Sequence, residues 1–351
     1  MRKHSKRRMA NTRQRLLVLG ATGHIGQAVV RRALEQGHEV TAATRRADPE
    51  PLRGLGVNMV RVDSELRSLR QMAAGYDLLV DAGAPYVHEM CIPGSELWRL
   101  QVDAAVSRAA MVTDAARCNG LKLAFVSSYA TVPRNDLTEP AAAAALWRRS
   151  ATPYFEAKIA MENVVLTAAK EGLPAVVLNP VAFVGPWEFR DPSWSFVPLL
   201  LAGRFPVVVN QTICVIDVRD VAEALDRAIE REVFGRPIPL AGHNIHSRDL
   251  AMLTARIAGM GLPPPVAVSG FMASVVSFWT HMALAAFGMV SPGILGLVAI
   301  SPEVMPVYPS AEQISLGVSL RPLEASLRDS VTFHRSRRLA QRSDWAAARM
   351  K

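Results

Sequence analysis

Two short stretches carry side chains suited to moving a proton. In "TPYFEAK", Tyr154 and Lys158 stand four residues apart, so a helix sets them on one face. Thr152 as N-cap and Pro153 at the first helical position would mark where that helix begins. A free phenol, with a pKa near ~10, exchanges protons poorly at neutral pH. An ammonium held beside it stabilises the phenolate and lowers that value. In "FVSSYAT", Ser127 and Ser128 end an apolar run, and a hydroxyl there can hold a substrate oxygen where charge develops. Hydroxyl, phenol and ammonium together suit proton exchange at a carbonyl or alcohol oxygen.

Such chemistry needs a partner for the carbon atom, and the N-terminal region supplies a place for one. "RLLVLGATGHIGQAVVRRALEQ" runs from an apolar strand pattern into a helical one through Gly20, Gly23 and Gly26. The first glycine permits a tight turn, the second lets the backbone approach a diphosphate, and the third lets helix and strand pack closely. Thr22, His24 and Ile25 complete this turn as candidate nucleotide contacts. The next strand pattern ends in Thr44, Arg45 and Arg46, with no acid before Asp48. An acid would suit the ribose 2′-hydroxyl of NAD(H). Two guanidinium groups suit the 2′-phosphate of NADP(H), which is therefore favoured. Asp63, closing the third strand, is placed to accept from the adenine amino group.

The elements that must position these residues are legible in the first half. Apolar, β-branched runs at 15–20, 39–44, 57–63, 77–83, 122–128 and 175–180 alternate with helical patterns at 25–36, 98–118 and 154–171. This alternation predicts an α/β fold, a doubly wound parallel sheet covered on both faces. The nucleotide-binding domain is expected over 16–180, with 212–232 returning to it, and a smaller C-terminal substrate-binding region over 181–333. There, the loop "GPWEFRDPSWSF" offers Trp187, Phe189 and Trp194 to an apolar substrate.

The net charge is +9, but residues 1–15 hold +7 and 334–351 hold +5, leaving about −3 for the body between. Basicity confined to two ends predicts solvated, disordered tails, and without interleaved aromatics it does not predict a nucleic-acid partner. The three cysteines are far apart, so neither a disulfide framework nor a metal site is expected, and a reducing cytoplasm fits. Residues 266–301 carry no formal charge. Glycines, a proline and hydroxyls interrupt them, which predicts two helices over an apolar cavity, resting at most peripherally on a membrane.

On "GATGHIG", "FVSSYAT", "PYFEAK" followed by "AMEN", "LNPVAFVGP" and "VIDVRDVAEAL", residues 15–335 resemble the extended short-chain dehydrogenase/reductases, also called the NAD-dependent epimerase/dehydratase group. "PLAGHNIHSRDLAMLTARIAG" and "RPLEASLRDSVTFHR" are similar to the branch of dihydroflavonol reductases and 3β-hydroxysteroid dehydrogenases. The resemblance implies a Rossmann domain. It also implies that Ser128 polarises the substrate oxygen, Tyr154 exchanges its proton, and Lys158 holds the nicotinamide ribose. Ala82, Gly83 and Ala84 would pass beside the cofactor, Pro85 would border the substrate, and Asn179, Pro180 and Val181 would lie near the nicotinamide. A homodimer is the family-level expectation. One departure stands out: Ala105 and Arg108 occupy a helix line where the family usually has Asn-Val and Gly-Thr. The expected activity is hydride transfer to or from a ketone or secondary alcohol of a hydrophobic molecule. A nucleotide-sugar epimerase or dehydratase with tightly bound nicotinamide is the alternative, and a non-catalytic NADP-sensing protein is a second.

Overall fold

The computed structural model describes residues 13–45, 49–63, 65–83, 94–133, 153–189, 195–203, 207–261, 264–270, scattered positions to 283, and 306–348. In chain order the first half contains β1 (Arg15–Leu19), α1 (His24–Glu35), β2 (Glu39–Thr44), β3 (Asn58–Arg61), α2 (Leu69–Met72), β4 (Leu78–Asp81), α3 (Glu96–Cys118), β5 (Lys122–Val126), α4 (Tyr154–Lys170) and β6 (Ala175–Pro180). The second half contains β7 (Ala182–Val184), α5 (Phe196–Leu201), β8 (Val207–Val209), β9 (Thr212–Asp217), α6 (Val218–Glu230), β10 (Pro237–Leu240), β11 (His243–His246), α7 (Ser247–Ile257), β12 (Val266–Val268), α8 (Ala311–Leu316) and α9 (Leu323–Ala348).

Seven parallel strands form the central sheet in the order β10-β6-β5-β4-β1-β2-β3. The inner strands β1, β2, β4, β5 and β6 are largely apolar and bury both faces, whereas the edge strand β3 is mostly exposed. Leu16 and Val18 of β1 point into a core shared with α1 and α6, while Leu17 and Leu19 point into one shared with α3 and α4. The chain runs outward from β1 to β3 and then returns to β4 on the other side of β1. Such a reversal opens a crevice at the carboxyl ends of β1 and β4.

The second half departs from expectation in three places. The strand at 212–217 does not rejoin the central sheet; it pairs with β7 and β11 in a separate three-stranded sheet. The return is made by α6, which packs on α1, and by β10, which pairs with β6. Val266–Val268, expected to open a helix, is a strand on β8, and helical turns follow from residue 270. Residues 334–348, expected as a disordered tail, continue α9. Its Leu327, Val331 and His334 recur at helical spacing and are buried. Among the described residues, no helix is long and apolar enough to cross a membrane.

Candidate active site

The glycine turn sits at the carboxyl end of β1. Gly20 adopts φ +76°, and a Cβ on it would lie 2.4 Å from the Cα of Gly83, just beyond β4. A Cβ on Gly26 would lie 2.0 Å from the Gly20 carbonyl oxygen, so helix and turn touch backbone to backbone. Gly23 caps α1 with no capping side chain and no acid in the first turn. An uncapped helix start with its positive end toward the crevice fits a diphosphate. Thr22 is half-buried, while His24 and Ile25 are buried.

Ser128 lies two residues past β5 and caps a short 3-10 turn, where its Oγ accepts from the Ala130 amide at 3.2 Å. Tyr154 is the first residue of α4, with Pro153 as cap, one position later than the proline's expected place; Thr152 lies outside the described residues. This start turns the phenol back toward β5, and Tyr154 Oη donates to Ser128 Oγ at 3.1 Å. Lys158 follows one turn on and is buried, only 5% exposed. Burial pulls its ammonium down to about 8, against the opposing pull of Asp81.

Behind these three groups lies a polar network. Glu162, one further turn along α4, accepts at Oε2 from Ser127 Oγ (2.5 Å), Thr131 Oγ1 (2.7 Å) and Asn179 Nδ2 (2.7 Å). Asn179 also donates to the Ser128 carbonyl at 3.3 Å, so this fully buried residue braces the turn that carries Ser128. Val181 is buried in the core beside it. Neither Glu162 nor Asp81 was singled out in the sequence. The signal was present: each is a carboxylate on an otherwise apolar run.

The remaining expected residues scatter. Arg45 is exposed at the end of β2, and Arg46 lies outside the described residues. Asp63 Oδ1 accepts from the Arg67 amide at 3.2 Å. Ala82 and Gly83 flank the turn, whereas Ala84, Pro85 and Trp194 are outside the described residues. Trp187, at φ +70°, lies 4.6 Å under the Arg31 guanidinium. Phe189 stacks edge-on with Phe333 of α9 and under Arg337. These two rings thus hold the loop after β7 to α1 and α9.

The residues matched by one family model close the question. Residues 16–239 match the NAD dependent epimerase/dehydratase family. The chain belongs to that family. It is 31% identical over 227 residues to sterol demethylase protein B of Methylococcus capsulatus, covering 62% of this chain and 67% of that one. A putative dihydroflavonol 4-reductase of Synechocystis is 28% identical over 218 residues, 58% of this chain and 60% of the reductase, so the match spans three fifths of that relative. Among solved structures, that of gox2253 superposes with a TM-score of 0.73 at 25% identity, over 92% of this chain and 98% of that one. As a member of this extended short-chain dehydrogenase/reductase family, the chain is an NAD(P)-dependent enzyme by descent. The family motif "VIDVRDVAEAL" here does structural work. Asp217 caps α6 and holds Arg219, which also pairs with Asp329 at 2.8 Å, and Asp220 pairs with Arg321.

Proposed function

We propose that this chain is an NADP(H)-dependent oxidoreductase interconverting a ketone and a secondary alcohol in a hydrophobic small molecule. The observation that carries the reading is the hydrogen bond from Tyr154 Oη to Ser128 Oγ at 3.1 Å beside the buried Lys158. When bound, the nicotinamide nucleotide supplies or accepts the hydride. Ser128 donates to the substrate oxygen, and Tyr154 delivers or removes the proton there. Lys158, with its ammonium near 8, is mostly protonated at neutral pH and stabilises the phenolate.

Preference for NADP(H) is supported by the cationic end of β2, where Arg45 follows the buried Thr44. Two relatives are named for a sterol and a dihydroflavonol, both hydrophobic. Exposed Met272, Val276 and Trp279, on the helical turns after β12, offer an apolar surface for peripheral contact with a membrane that would store such substrates. A nucleotide sugar would instead need cations for its diphosphate. Of the arginines available, Arg219 is already held by Asp217 and Asp329.

Tyr154→Phe is expected to lower NADPH-linked turnover of a hydrophobic ketone by about 10²–10⁴-fold, the usual range for a general acid, while the nucleotide Kd stays near wild type. Equal loss of both would overturn the role. Neutralising Arg45 and Arg46 together is expected to weaken NADPH about tenfold or more and leave NADH nearly unchanged. Equal affinities for both nucleotides before and after would refute the preference. Nicotinamide retained through purification would favour the epimerase alternative.

A further inference from the structure

The departure at residue 108 acquires a purpose in the structure. Arg108 projects from the middle of α3 with its side chain only 15% exposed, and it grips the fully buried Asp81 with both terminal nitrogens; the Nη2–Oδ1 bond is 2.8 Å. Asp81 Oδ1 also accepts from the Gly83 amide at 3.0 Å. A Cβ on Gly83 would come within 3.3 Å of Arg108 Nη2 and 3.0 Å of the Gly20 Cα. One ion pair therefore touches the loop that presses on the glycine turn. We infer that Arg108 and Asp81 are a positioning pair for the reaction, pinning the loop at Gly83 against Gly20 and setting the electrostatic surroundings of Lys158.

The charge argument rests on who faces Lys158. β4 contributes Asp81, α3 contributes Arg108, and its own helix contributes Glu162, which is itself held by Asn179 of β6. Asp81 and Glu162 favour the ammonium, while Arg108 and burial oppose it. Arg108 is itself held above its ordinary value: burial draws it down, but Asp81 raises it further. A second buried cation beside an ammonium is costly unless its carboxylate compensates. The pair is therefore a counterweight: each member moves Lys158 in the opposite sense.

A purely mechanical tie between α3 and β4 would not produce that sign. The inference rests on Lys158 being the ammonium of the proposed site, yet its test needs no turnover. The chain has six lysines, so Lys158 can be followed by NMR in protein carrying 13C at lysine Cε, assigned by the resonance lost in Lys158→Arg. Asp81→Asn keeps the shape and the Gly83 hydrogen bond, and is expected to move the Lys158 midpoint down by about one pH unit. Arg108→Gln is expected to move it up by a similar amount. NADPH binding should weaken several-fold in Arg108→Gln, where the loop loses its anchor. If Arg108→Gln fails to fold, Asp81→Asn and Arg108→Lys decide: the first must lower the midpoint, the second must leave it in place while weakening NADPH. A midpoint unmoved by Asp81→Asn, or moved upward, overturns the inference. Failure of the Tyr154→Phe test with these shifts intact would instead indict the catalytic reading.

Discussion

The glycine turn that forms the candidate nucleotide cradle and the seam that joins it to α9 are built from different materials. At the cradle, Gly20, Gly26 and Gly83 meet backbone to backbone, with no side chain between them. At the seam, the buried Glu188 carboxylate takes a hydrogen bond from Ser195 Oγ at 2.6 Å. It lies 3.7 Å from His24 Nδ1 and 3.6 Å from His334 Nε2. His24 belongs to both, since its Nε2 reaches the Pro186 carbonyl at 2.9 Å. Backbone contact tolerates no added atom, whereas a side-chain clasp can lose a member and relax. The two regions should therefore fail differently.

The largest expected effect is at the cradle. Gly26→Ala places a methyl 2.0 Å from the Gly20 oxygen, and because both partners are backbone, neither can rotate away. A loss of about 3 kcal/mol in stability is expected, with nucleotide binding abolished. Thermal unfolding and nucleotide titration check it; a variant with wild-type affinity would break the comparison on the cradle side.

Glu188→Gln comes next. It keeps the shape but removes the charge that faces two imidazoles, and a loss of about 1–3 kcal/mol is expected. The sharper readout is regional. Hydrogen exchange should accelerate in α9 and in residues 185–189 while β1, β4 and β5 keep their protection. Uniform acceleration across both regions would show that the seam and the cradle are one cooperative unit.

The same contrast explains what could be read in advance. β2, β6 and the start of α4 lie within a residue or two of their predicted places, because strand and helix periodicity is a local signal and the core they face is continuous. Gly20 was legible as a turn residue, and Tyr154 and Lys158 as one helix face, because turn and helix geometry fix local spacing; the choice of Ser128 over Ser127 came from the family resemblance. The clasp was not: Glu188 sits in a loop, and the contact of His24 with Pro186 spans 162 positions. The strand at 212–217 was expected to return to the central sheet because its pattern is apolar, but an apolar pattern does not say in which sheet a strand pairs. Its pairing with β11 brings Gly242 so close that an added Cβ would lie 2.1 Å from the Val215 oxygen, a contact between distant parts of the chain that periodicity does not reveal. Arg108 could be seen as odd in the sequence; only its partner Asp81, across the sheet end, gives it a meaning.

A pH-dependent effect, vanishing below pH 8, sharpens the comparison from the electrostatic side. Lys158 titrates near 8 in the folded protein against an ordinary 10.5, with burial the principal cause. Below 8 both folded and unfolded chains hold the proton. Between about 8 and 10.5 the unfolded chain still holds it and the folded chain has released it. The unfolded state then binds more protons, so stability rises with pH through that window, by at most about 1.4 kcal/mol per pH unit. Lys158→Met removes this contribution and leaves the other titrating groups common to both proteins. Denaturant unfolding of the two at pH 7, 8, 9 and 10 should give curves that converge as pH rises, the wild type gaining on the variant. Curves that stay parallel would mean that Lys158 carries no strained charge.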